Sequence, residues 1–140
     1  MSESYKVKTA VLLIILSLLM GGCAQANKPK RYGMVIGAKE QALTKYKELH
    51  AKPWPEVMAK LKDVNIQNYS IYLTQFADGN YYLFSYFEYT GDDFEGDMAK
   101  MAADPTTQKW WAVCMPCQKP LENRAAEEWW AGMEEVFHAD

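Results

Sequence analysis

Histidine and cysteine are scarce in this 140-residue chain: it holds two of the former and three of the latter. The two histidines, His50 and His138, lie far apart, so no metal site can be read from their spacing and no metal is expected. No Ser-His-Asp arrangement and no phosphate-cradling glycine loop is present. A basic run is also missing. The formal net charge is −3 and the pI about 5.4, which excludes nucleic acid as the main partner. No internal repeat or low-complexity tract divides the chain, and its length allows one domain. No apolar run reaches the roughly 20 residues that a membrane-spanning helix needs.

The greasiest stretch, Ala10–Met20, follows Lys6 and Lys8 and leads into Gly21-Gly22-Cys23. A basic start, a short apolar run and small residues at a cleavage point read as a secretory signal over residues 1–22. The ending Leu-Met-Gly-Gly-Cys resembles a bacterial lipoprotein signal, with Cys23 as the lipidated residue; an ordinary cleaved signal leaving a free Cys23 is the alternative. Residues 23–31 then read as a polar, basic tether and 32–140 as the folded domain. These readings place the protein in the cell envelope, held to the membrane by its N-terminal lipid. Ala24 offers no Asp-type retention signal and points to the outer membrane.

Aromatic residues make up 14% of the chain and hydrophobic ones 49%, enough for a packed core. Tyr32–Gly37 alternates as a first strand, and Ala38–Ala51 follows as a helix with Ala42, Leu43, Tyr46, Leu49 and His50 on one face. Pro55–Lys62 suits a second helical piece. Asn68–Gln75 and Tyr81–Tyr89 read as strands joined by an Ala77-Asp78-Gly79-Asn80 turn. Both alternating sets of the second strand are bulky: Tyr82, Phe84 and Tyr86 on one face, Tyr81, Leu83, Phe87 and Tyr89 on the other. Helices can cover one face, and a second copy of the chain is the simplest cover for the other. Phe94, Met98 and Met101 keep helical spacing. Asp104-Pro105 restarts a helix as cap and first residue and leads to Lys109-Trp110-Trp111. Met115–Glu128 reads as irregular and Met133–Phe137 as the last strand. Strand, helix, hairpin, helix, strand is the ferredoxin-like α+β pattern, an antiparallel sheet with helices on one face.

Tyr46–Pro55 concentrates the chemistry. Tyr46 and His50 are four apart and share a helix face. Pro53 and Pro55 interrupt the helix around Trp54. A phenol, an imidazole and an indole brought together at a helix break suit proton transfer on a small polar molecule; a buried Tyr–His pair that merely closes a helix end is the structural alternative.

Five pieces in register resemble the L-rhamnose mutarotase family: Tyr46-x-x-x-His50-x-x-Pro53-Trp54-Pro55-Glu56, Asn68-Tyr69-Ser70-Ile71-Tyr72-Leu73, Tyr82–Glu88, Lys109-Trp110-Trp111 and Met133-Glu134-Glu135-Val136-Phe137. The resemblance implies a dimeric ferredoxin-like fold of α/β-barrel type that dimerises through its sheets. It implies an isomerase that interconverts the α and β anomers of a 6-deoxyhexose such as L-rhamnose, without a cofactor. His50 would be the proton donor, and Tyr46, Tyr69, Trp110 and Trp111 would contact the sugar, with Trp54 beside them. The segment from Cys114 to Glu128 departs from the family pattern, as does the N-terminal leader.

Mutarotation protonates the ring oxygen while the anomeric hydroxyl loses its proton, which calls for positioned acid and base groups. An imidazole serves either way near neutral pH, and Trp and Tyr supply flat surface for the sugar's C–H face. Two rivals stand beside this reading: a non-catalytic sugar-binding lipoprotein, and a thiol-redox or oxygenase-like protein built on Cys114-x-x-Cys117. Redox pairs of that spacing are expected at a helix N-terminus, whereas this one follows a helix end.

Overall fold

The computed structural model describes residues 28–139. The signal expected over 1–22, Cys23 and most of the tether lie outside the described residues. Strand β1 is Lys30–Ala38, so Lys30 and Arg31, expected in the tether, are already part of the sheet. A single 3-10 turn, Glu40–Ala42, leads to helix α1 at Leu43–Ala51. The expected helix start at Ala38 is therefore corrected: Ala38 still pairs with Tyr81 and Gln118 in the sheet, and Lys39 leaves it extended. Helix α2 is Pro55–Asp63, with Pro55 in its first turn, where a missing N–H costs nothing. Strands β2, Ile66–Gln75, and β3, Tyr81–Tyr89, form the expected hairpin. Its turn uses Gly79 at φ +81°, with Asp78 accepting from the Asn80 amide at 2.8 Å. Helix α3 is Phe94–Ala103 and helix α4 is Pro105–Cys114, capped by Asp104, which accepts from Thr107 N at 2.7 Å.

All strand pairs are antiparallel, in the order β2-β3-β1-β4. Strand β4 is only Gln118–Lys119, inside a segment expected to be irregular. It approaches Gly37 so closely that a Cβ there would lie 2.8 Å from the Lys119 carbonyl oxygen. The last strand, β5, is Ala131–Met133 on the same edge of β1. The expected strand Met133–Phe137 is corrected accordingly. Beyond Met133 the contact with β1 passes from backbone to side chains: Arg31 grips the Glu135 carboxylate at 2.7 and 3.0 Å, while Val136 and Phe137 stand in solvent.

The helices cover one face of the sheet. Ile36 and Leu83 pack with Tyr46 and Cys117 near one end, and Val64, Ile66 and Phe87 form a second cluster with Tyr32, Met34 and Met98 near the other. The opposite face carries Tyr72, Tyr82, Phe84 and Tyr86, and Tyr72 is 65% exposed.

One polar knot ties α3 to the sheet. The Asp97 carboxylate, nearly buried, accepts from Lys100 Nζ at 2.7 Å, Asn65 Nδ2 at 2.7 Å and Tyr89 Oη at 2.8 Å. Asn65 stands at φ +60°, a turn that Asn tolerates better than most residues. The Lys100 ammonium first, then the two neutral donors, hold the Asp97 pKa down at about 2. A carboxylate whose pKa is lowered by folding stabilises the protein above its unfolded value, near ~3.9, and that contribution is lost as pH falls toward the folded value. The melting temperature of the wild type is expected to drop between pH 4 and 2 more steeply than that of Asp97→Asn, which itself starts lower at neutral pH. Parallel thermal melts would show this, and equal acid slopes in the two proteins would contradict it.

Candidate active site

The Tyr46–His50 spacing and the proline break do locally what the sequence suggests. Both residues project from α1 toward the sheet, and their rings stack at 4.0 Å between centroids. His50 Nδ1 lies 2.9 Å from the Tyr46 carbonyl oxygen. A carbonyl can only accept, so this nitrogen carries hydrogen and Nε2 is left as the working atom. Trp110 meets the His50 ring edge-on at 5.3 Å, and Trp54 meets Trp110 at 5.4 Å. Burial lowers the His50 pKa below its ordinary 6.5, with the Tyr46 carbonyl pulling the other way. The imidazole is therefore neutral at neutral pH.

Between helices and sheet lies a cavity of about 430 Å³, joined to a second lobe of about 380 Å³. His50, Tyr69, Trp110 and Trp111 line both lobes, so the imidazole stands where they meet. Of the residues singled out from sequence, Tyr46 lines the larger lobe. Trp54 lines neither lobe; it packs behind Trp110 with Val57. His138 is exposed at the chain end, away from both lobes. Trp110 is buried and Trp111 partly so, yet both reach the cavity. The structure thus brings His50, Tyr46, Tyr69, Trp110 and Trp111 together.

The two tyrosines are tuned alike. Burial raises the Tyr46 phenol pKa far above its usual value, partly offset by the neighbouring Gln118 amide. Its hydroxyl is buried and makes no hydrogen bond of good geometry to a described residue. Tyr69 keeps 41% of its surface accessible because its ring lines the cavity, but its surroundings push its pKa up to about 12. Both phenols stay protonated and can donate to a sugar oxygen.

Among the lining residues not foreseen are Gln118, Trp129 and Trp130. Gln118 sits on a two-residue strand that no pattern reveals. Trp129-Trp130 repeats the Trp-Trp doublet of α4, a signal that the sequence did contain. Cys114 also lines the cavity, but not as a redox group. It and Cys117 are free and buried, and burial together with Cys117 pushes the Cys114 pKa up to about 12. Reactive thiols are shifted the opposite way.

The comparisons with known proteins agree with this geometry. A family model described as L-rhamnose mutarotase matches residues 31–139. An L-rhamnose mutarotase of Oceanobacillus iheyensis is 31% identical, over 79% of this chain and 99% of its own. One from Mannheimia succiniciproducens is 31% identical, over 79% of this chain and 98% of its own. The crystal structure of L-rhamnose mutarotase from Formosa agariphila superposes with a TM-score of 0.60 at 24% identity, covering 79% of this chain and 99% of that one. The redox and binding-only rivals gain no support.

These relatives also correct the expected location. Their own lengths are filled almost completely by the matching domain, which leaves no counterpart for a lipidated Cys23 and its signal. The expectation of a lipid-anchored protein of the cell envelope does not stand against them.

Burial of both thiols, together with the high pKa of Cys114, predicts that Cys114 and Cys117 react slowly with iodoacetamide in the native protein at pH 7.5 and fully once it is unfolded. Peptide mass mapping reads both states. Rapid native labelling of Cys114 would restore the redox reading.

Proposed function

The chain belongs to the L-rhamnose mutarotase family, which makes it a sugar-anomerising isomerase, and we propose that its folded domain, which begins with β1 at Lys30, interconverts the α and β anomers of L-rhamnose with His50 as its acid–base group. The observation that carries this reading is the His50 Nδ1 contact with the Tyr46 carbonyl, which leaves Nε2 free in an imidazole that lines a cavity walled by aromatic rings. Neutral at rest, Nε2 takes the proton of the anomeric hydroxyl. The C1–O5 bond then breaks, its electron pair goes to the ring oxygen, and the imidazolium returns its proton there. The open aldehyde turns about C1–C2 and the same steps reverse on its other face. Tyr46 and Tyr69 donate to sugar oxygens through hydroxyls that stay protonated, and Trp110 or Trp111 stacks on the C–H face.

The second part of the proposal is a homodimer. Tyr72, exposed, shares a sheet face with the partly buried Tyr82, Phe84 and Tyr86, and the exposed Phe76 packs beside them; a contiguous aromatic patch of this kind often marks a contact surface. Light scattering on the purified protein should give twice the chain mass; a monomer at micromolar concentration would refute this part alone.

His50→Ala is expected to keep the fold and lose on the order of 10²–10⁴ in anomer exchange, measured by saturation-transfer NMR on L-rhamnose. Tyr46→Phe should cost less, since the packing survives. Because burial lowers the His50 pKa, the wild-type rate should stay level down to pH 6.5 and fall only below it, as the imidazole becomes protonated before substrate binds. A rate already falling between pH 8 and 7 would contradict this, as would loss of exchange in His138→Ala but not in His50→Ala.

A further inference from the structure

The cavity has a polar end that the mechanism above leaves unused. Gln118 is 6% exposed and lines the larger lobe beside Tyr46. Its Oε1 accepts from Trp129 Nε1 at 2.7 Å. An indole N–H can only donate, so the amide's orientation is settled: oxygen toward Trp129, and the NH2 group turned away from it. That NH2 group faces the Tyr46 hydroxyl, a contact that partly offsets the rise of the phenol pKa, and the buried hydroxyl makes no hydrogen bond of good geometry of its own. An NH2 group has two hydrogens and a phenol one, so the pair still has donors to spare in an apolar cavity, and a ligand oxygen beside them would accept from both.

Trp129 is held in turn. Arg124 Nε donates to the Glu128 carbonyl at 2.7 Å and Arg124 Nη1 to the Leu121 carbonyl at 2.9 Å. The Glu128 carboxylate accepts from Gly132 N at 3.2 Å, within β5 where it pairs with β1. The loop after β4 is thereby clipped to the sheet edge, with the indole N–H aimed at Gln118.

We propose that Gln118 is a sugar-binding residue of this site, its amide N–H donating to a hydroxyl of the reducing sugar beside Tyr46, and that Trp129 is the positioning residue that keeps the amide turned toward the sugar. The inference rests on the mutarotase reading and extends it to a segment that departs from the family pattern. Trp130 lines the same end of the cavity, so this loop supplies both a polar contact and an apolar wall.

The test is anomer exchange by saturation-transfer NMR across a series of L-rhamnose concentrations, in wild type, Gln118→Leu, Trp129→Phe and the double variant. Gln118→Leu should raise KM about tenfold, the effect of one lost neutral hydrogen bond to a ligand, with a smaller fall in kcat. Trp129→Phe keeps an aromatic ring but loses the N–H together with the pyrrole half of the indole; it should raise KM about threefold. The double variant should be no worse than Gln118→Leu, because Trp129 acts through Gln118. A purely structural Gln118 would lower the melting temperature and leave KM per folded molecule alone. KM within twofold of wild type in both single variants, or additive losses in the double variant, would overturn the proposal while the mutarotase reading stands. Should Gln118→Leu fail to fold, Trp129→Phe decides alone. A wild type that exchanges no L-rhamnose anomers would overturn both.

Discussion

One carbonyl oxygen decides what the imidazole can do. In a helix the Tyr46 carbonyl is the one that the amide of His50 reaches. A carbonyl has a second lone pair, and His50 Nδ1 comes within 2.9 Å of it. The side chain is thereby folded back along its own helix, its ring laid on that of Tyr46, and its tautomer set. Without that bond the imidazole could present either nitrogen. With it, Nε2 is the nitrogen left free, in a ring that meets Trp110 and lines the cavity. The i, i+4 spacing therefore aligns two rings and also selects which imidazole nitrogen is left free. Pro53 and Pro55 end the helix just beyond, so that α2 packs its Val57 against Trp110.

The other wall of the cavity depends on a break in strand periodicity. Along β2, Ile71 and Leu73 pack toward the helices, and strict alternation would send Ile66 to the opposite face. Yet Ile66 is buried in the inner cluster, and Tyr69 lines the cavity. Both point inward because the register shifts by one residue between Gln67 and Ser70, with Asn68 at φ +48°. A bulge reverses the alternation that follows it. Asn68 also donates to Glu88 at 2.7 Å, alongside Gln67 at 2.8 Å, which fastens the irregularity to the neighbouring strand.

Where local chemistry and tertiary packing agree, the sequence could be read directly. Asp104-Pro105 is a helix start whatever surrounds it, and the turn at Asp78-Gly79 is set by residues that tolerate it. The Tyr46–His50 face and the Trp110-Trp111 doublet were legible because helical spacing alone brings their side chains together. What escaped depends on contacts across the chain. Ala38 has good helix propensity but is held in the sheet by two flanking strands. Val136 and Phe137 look like strand residues, yet the backbone ladder stops at Met133 and Arg31 captures Glu135 instead. Trp54, held between two prolines, looked like a cavity residue; the break it belongs to turns it behind Trp110. Gln118 could not be found at all, because its importance comes from Trp129, eleven residues on and across a loop.

Burial in this cavity acts on three kinds of titratable group, and in each it favours the uncharged form. It raises the phenols of Tyr46 and Tyr69, raises the thiol of Cys114 and lowers the imidazole of His50. Among the described residues, no Asp, Glu, Lys or Arg lines either lobe. At neutral pH the site thus holds no formal charge, and the only charges formed in the reaction are transient: an imidazolium and a developing alkoxide separated by one proton transfer. Such a site suits a neutral sugar and opposes an anionic one. A sugar phosphate or uronic acid would bring a charge that nothing in the lining could pair, and an unpaired charge in an apolar cavity costs more than the hydroxyl contacts return. The apolar lining therefore selects among sugars by charge as well as providing surface for the ring, and the same neutrality keeps Nε2 unprotonated and ready for the anomeric hydroxyl.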